Sequence, residues 1–80
     1  MSLFYIVVTH DGQTDATEEP YEFSDADRAT DEAARTILDV ARDCVHQDKC
    51  DAVVTVKDAQ HEPVSRMDLT MCRSWISSRN

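Results

Sequence analysis

The run SDADRATDEAARTILDVARDCVHQ, residues 24–47, decides the fold. Within it Ala26, Ala29, Ala33, Ile37, Val40, Ala41 and Cys44 recur at three- and four-residue intervals, which places them on one face of an α-helix. The opposite face carries Arg28, Asp31, Glu32, Arg35, Asp39, Arg42 and Asp43. A helix is therefore expected over about residues 25–47. Ser24 stands where a side-chain oxygen can accept from the free amides of the first turn, with Asp27 at the capping-box position. Asp25 and Asp27 also complement the positive end of the helix dipole. The stripe is mostly alanine in its first half, so the helix can approach a sheet closely there. Arg28–Glu32, Asp31–Arg35 and Arg35–Asp39 are spaced for ion pairs along the polar face.

The flanking segments read as strands. Residues 3–9 are aromatic and β-branched, with Phe4, Ile6 and Val8 on one side and Leu3, Tyr5 and Val7 on the other. Asp11-Gly12 is a hairpin signal, and residues 14–19 are a short polar return strand that Pro20 stops. After an exit loop at residues 46–50, residues 51–57 form a strand with Ala52, Val54 and Val56 on one side. A turn without glycine follows at 58–61, then a last strand at 64–71 with Met67, Leu69 and Met71 on one side. Residues 72–76 fit either a short helix or an extended arm. The order is β-β-α-β-β in one domain spanning residues 1–80, an α+β fold with a four-stranded antiparallel sheet and one helix on one face.

One helix covers one face of such a sheet, yet the first strand is apolar on both. The other face calls for cover, from the Trp75-Ile76 segment or from a second copy of the chain. The interface candidates are Leu3, Tyr5, Val7, Met67, Leu69 and Trp75. Size points the same way. A chain of 80 residues buries only about 60% of its unfolded surface, and cores of that scale often lean on self-association.

Sixteen acidic residues against eight basic ones leave a net charge of -8. That balance repels phosphate backbones and anionic membrane surfaces, and the closest basic clustering, Arg73 to Arg79, is slight. No nucleic-acid or membrane partner is expected. Residues 1–8 have no basic flank and too short an apolar run for a leader or a span, so a cytoplasmic protein with reduced thiols is expected.

Several constellations invite chemistry. Cys44, His46 and Cys50 lie within seven residues and are soft-metal ligand types, with His10 or His61 available to complete a set. Their spacing is not that of a zinc knuckle, and Cys44 falls on the apolar stripe, which favours a buried helix cysteine and a loop cysteine. A Cys–His nucleophile is conceivable from the three cysteines, of which Cys72 reads as the most exposed, but nothing marks an electropositive setting. Asp11, Asp15, Glu18, Glu19 and Glu22 cluster near the first hairpin, where a solvated acidic edge explains them better than a hard-cation site. Met67, Leu69, Met71 and Trp75 read as packing residues. No cofactor and no catalytic residue is assigned.

Taken together, Phe4-Tyr5, Asp11-Gly12, Asp15, Glu18, Ala29, Glu32-Ala33 and Val54-Thr55-Val56-Lys57-Asp58 resemble a family of small bacterial proteins of about this length that is known as a domain of unknown function. The resemblance implies the architecture above and no activity, cofactor or catalytic residue. The second turn departs from it, with Ala59-Gln60-His61 where Asp-x-x-Gly is usual. The expected function is a non-enzymatic, self-associating module, a homodimer that regulates or binds another protein. The rivals are a small Cys/His metal-binding or thiol-dependent enzyme or sensor, and a nucleic-acid-associated regulator that would need a local basic face.

Overall fold

Strand β1 (Ser2–His10) is the spine of the sheet in the computed structural model, which describes residues 1–16 and 19–77. On one side β1 runs antiparallel to β4 (Lys49–Lys57), and β4 in turn to β5 (Pro63–Cys72). On its other side β1 is flanked by two short strands in succession. β2 (Gln13–Ala16) pairs with residues 7–10, and β3 (Tyr21–Phe23) pairs with residues 2–4. The sheet therefore has five strands, in the order β2-β1-β4-β5 with β3 beside β1. Helix α1 (Ala26–Asp43) lies across one face.

Alternation along the strands sorts the two faces. Phe4 and Ile6 of β1 and Cys50, Ala52, Val54 and Val56 of β4 are buried toward the helix. Ala29, Ala33 and Ile37 meet them from α1, and Val8, Phe23, Val40, Met67 and Leu69 pack around this core. Ala29 and Ala33 are 0% exposed, as expected of small residues at the closest helix–sheet approach. The Thr30 hydroxyl donates to the Ala26 carbonyl and, 2.7 Å from Ser65 Oγ, accepts from β5, which fixes the helix position.

The Asp-Gly hairpin forms as expected. His10 pairs with Gln13 across Asp11 and Gly12, whose φ values are 51° and 84°, both on the left-handed side that a two-residue turn matching the sheet twist needs. An added Cβ at Gly12 meets no atom within 4 Å, so only backbone conformation opposes a side chain there. Gly12→Ala is expected to cost about 1–2 kcal/mol, read as a lowered urea midpoint with unchanged slope. At the β4–β5 turn, Asp58 Oδ1 accepts from the amides of Gln60 (2.9 Å) and Glu62 (3.0 Å). His61 has φ 65°. It thus takes the left-handed region, a conformation histidine tolerates better than most residues.

Several expectations are corrected. The sheet has a fifth strand, β3, because the chain resumes pairing with β1 after Pro20; the contact of Phe4 with Phe23, ring centroids 6.1 Å apart, holds it. β2 is described over Gln13–Ala16; the expected continuation at residues 17–18, with Glu18, lies outside the described residues, as does Arg79. The helix ends at Asp43, short of residue 47. Past Cys44 the stripe has nothing left to bury, and Val45, His46 and Gln47 are exposed while bonds from Cys44 N to Ala41 O and Gln47 N to Cys44 O turn the chain. The cap is Asp25 rather than Ser24, its Oδ1 accepting from Arg28 N at 2.9 Å. On the polar face the ion pair formed is Arg35 with Glu32 at 3.3 Å. Residues 73–77 are neither helix nor strand.

Candidate functional site

Chemically distinctive side chains meet at the C-terminal end of α1. Cys44 caps the helix, Cys50 is the second residue of β4, and both are 0% exposed. Their Cα atoms are 6.0 Å apart and the sulfurs form a disulfide, within the Cα range such a bond requires. This corrects the expectation of reduced thiols for these two. Cys72 remains free and exposed, as expected. Closing the loop across a sequence separation of 6 stabilises the chain by about 2 kcal/mol through restriction of the unfolded state. The same loop is clamped independently of the sulfurs. Arg73 donates from its backbone N to Asp48 O, from Nη1 to Val45 O at 3.2 Å, and pairs through Nη2 with Asp48 Oδ1 at 3.2 Å.

His10 joins the two sulfurs from the end of β1. Its Nε2 lies 3.3 Å from Cys44 Sγ, 3.5 Å from Cys50 Sγ and 3.2 Å from Asp11 Oδ2. His10, Cys44 and Cys50 are the convergent metal-ligating set found among the described residues, with ligand atoms within 4.8 Å of one another. Of the residues picked from sequence, the structure brings Cys44 and Cys50 together and leaves His46 exposed in the exit loop, outside that set. His10 takes the place given to His46. A signal for it existed: His10 has the parity of Phe4, Ile6 and Val8, which puts it on the helix side of β1 with Cys50 and Ala52. The acidic residues of the first hairpin do not form a convergent set of this kind among the described residues.

The second place is the sheet face away from the helix. Leu3, Tyr5 and Val7 of β1 lie there with Val53 and Thr55 of β4, and Lys57, Arg66 and Asp68 stand around them. The Tyr5 ring is stacked on His61, centroids 4.2 Å apart. Arg66 Nε pairs with Asp68 Oδ1 at 3.0 Å. Leu3 is 40% exposed and Val7 and Val53 are half-buried. Met67 and Leu69 are not on this face. Their pairing with Val54 and Ala52 turns them to the helix side, against the core. Trp75 lies beyond β5 and is 67% exposed.

A third feature is a cleft of about 530 Å³ between α1 and the β2–β3 edge. Ile6, Val8 and Phe23 line it, with Asp15, Glu22 and Glu32 around them. Three carboxylates disfavour an anionic occupant there. Among the described residues, no helix is long and apolar enough to cross a membrane.

Fold and sites together define a small α+β protein, one helix on an antiparallel sheet with a histidine and a cysteine pair at the helix end. The chain belongs to the domain-of-unknown-function family DUF6894, which it matches over residues 3–70. No curated protein and no solved structure matches it.

Proposed function

We propose that this chain is a non-enzymatic, self-associating interaction module whose contact surface is the sheet face opposite the helix. One observation supports the reading above the rest: Tyr5, Val7 and Val53 lie on the two central strands of that face, Leu3 continues the row toward the start of β1, and Glu22, Lys57, Arg66 and Asp68 stand beside them. An apolar centre with a charged rim is the usual anatomy of a protein interface. A two-fold contact sets the same patch against itself, so Arg66 of one copy can exchange its in-strand Asp68 partner for Asp68 of the other. The helix does not compete for this surface, since its buried stripe is spent on the opposite face. The net charge of -8 suits a protein partner with basic groups better than nucleic acid. We take the module to be a bacterial cytoplasmic protein, a reading in keeping with the resemblance to small bacterial proteins.

The test is a charge at the centre of the face. Val7→Asp buries an unpaired carboxylate in the contact, which is expected to weaken association by about 2–5 kcal/mol. Light scattering on an eluting peak then reads a monomer where the parent chain reads a dimer, with the helical circular dichroism retained. A Val7→Asp variant of the same mass as the parent contradicts this surface.

A further inference from the structure

We infer that the reduced chain holds one zinc(II) ion between Cys44, Cys50 and His10, and that this ion and the Cys44–Cys50 disulfide are alternative occupants of the same place. The geometry of the imidazole carries the inference. A tetrahedral zinc with thiolate ligands at about 2.3 Å and an imidazole nitrogen at about 2.0–2.1 Å sets each sulfur about 3.5 Å from that nitrogen and the two sulfurs about 3.8 Å apart. Nε2 of His10 already stands 3.3 Å and 3.5 Å from the sulfurs of Cys44 and Cys50. The sulfur–sulfur separation has to widen, which reduction permits, and Nε2 has to give up its contact with Asp11 to ligate the ion.

The surroundings keep the set assembled once the disulfide is opened. Cys50 is held by the β4–β5 ladder opposite Met71, His10 by the β1–β4 ladder opposite Ala52, and the loop between the cysteines by Arg73 on Val45 and Asp48. Burial of both sulfurs at 0% exposure shields a bound ion, while the His10 and Asp11 side chains, 32% and 46% exposed, mark the side from which it enters. The Asp11 carboxylate, 3.2 Å from the same imidazole nitrogen, lies outside the convergent set, and the fourth ligand is left to solvent. Two thiolates neutralise the dication, and the surplus of carboxylates over the chain favours its approach.

The exchange balances. A dithiol reductant attacks the disulfide, the Cys44–Cys50 bond breaks, and the reductant leaves as its own disulfide while the chain carries two thiols. Zinc binding then releases two thiol protons to solvent and uses neutral His10. In the reverse direction a disulfide oxidant takes two electrons from the thiolates, re-forms the bond and frees the ion.

The test uses the full chain, reduced with a phosphine that does not bind zinc, and zinc(II) as the probe. Native mass spectrometry is expected to show one zinc per chain on the reduced protein and none on the oxidised protein. Zinc is expected to protect Cys44 and Cys50 from alkylation while Cys72 reacts. His10→Ala should lose the adduct and His46→Ala should keep it. Cobalt(II) in place of zinc gives a readout independent of mass: thiolate-to-metal absorption and the intense visible bands of a tetrahedral site, both lost in Cys50→Ser. Circular dichroism of each variant shows whether the fold persists, and zinc loss in a folded His10→Ala chain supports the site. A reduced chain that takes no zinc, or one whose adduct survives His10→Ala, overturns the inference.

Discussion

Replacing Ile37 by alanine is expected to lower stability by about 2–5 kcal/mol, the cost of deleting a buried aliphatic side chain and leaving a cavity. Ile37 is 7% exposed and belongs to the core with Phe4, Ile6, Val54 and Val56. It is the largest side chain that α1 buries, because the other buried positions of the helix are Ala29 and Ala33. Domains of this kind have only about 5–15 kcal/mol to lose, so the variant stands close to unfolding. Equilibrium urea unfolding checks this through a large fall in midpoint with the slope preserved. The neighbouring Leu38 is the control. It is 62% exposed, and Leu38→Ala is expected to stay within about 0.5 kcal/mol of the parent.

The second large effect comes from making a core residue bigger. Ala33→Leu is expected to cost about 3 kcal/mol, at the upper end of what overpacking does. Ala33 is 0% exposed, and the helix lies close to the sheet at Ala29 and Ala33 because neither has more than a methyl group. A leucine there must displace the helix or strain its own rotamer. Displacement pulls on the Thr30–Ser65 hydrogen bond of 2.7 Å, so faster amide exchange in α1 accompanies the loss of stability. An Ala33→Leu chain as stable as the parent contradicts the close approach.

These two positions are legible in the sequence, because the 3–4 spaced stripe of the helix is long enough to be unambiguous. The same holds for β1 and β4, whose alternation is sustained, and for the Asp11-Gly12 hairpin, whose residue types match the backbone angles it adopts. β3 was not legible. Three residues carry too little periodicity, and Pro20 reads as an end when pairing resumes just beyond it. The end of the helix was overrun because Val45, His46 and Gln47 do not forbid helix; what stops it is the turn that carries the chain into β4.

The candidate surface was half legible. Leu3, Tyr5 and Val7 share a face by parity alone, but which face the helix takes depends on partner strands. Ala52, Val54 and Val56 are more apolar than Val53, Thr55 and Lys57, and that difference seats the helix over Phe4, Ile6 and Val8. Met67 and Leu69 then follow the register of β5 to the helix side and leave the interface set. Of the metal-ligating set, the two cysteines were legible by their closeness in sequence, and His10 only as one of two histidines available to complete it. His10 lies 34 positions before Cys44 and 40 before Cys50, and only the pairing of β1 with β4 brings it to the sulfurs.

In the proposed module, the face of the sheet without the helix meets a second copy of the chain. Sedimentation equilibrium on the chain carrying Cys72→Ser, which removes the exposed free thiol and with it any disulfide-linked pair, measures this most directly. A micromolar homodimer corresponds to about 8 kcal/mol of association, and the expected mass in that concentration range is twice the 9.1 kDa of a single chain. A mass of 9.1 kDa that persists up to about 100 µM, where even association of about 5 kcal/mol begins to register, contradicts it.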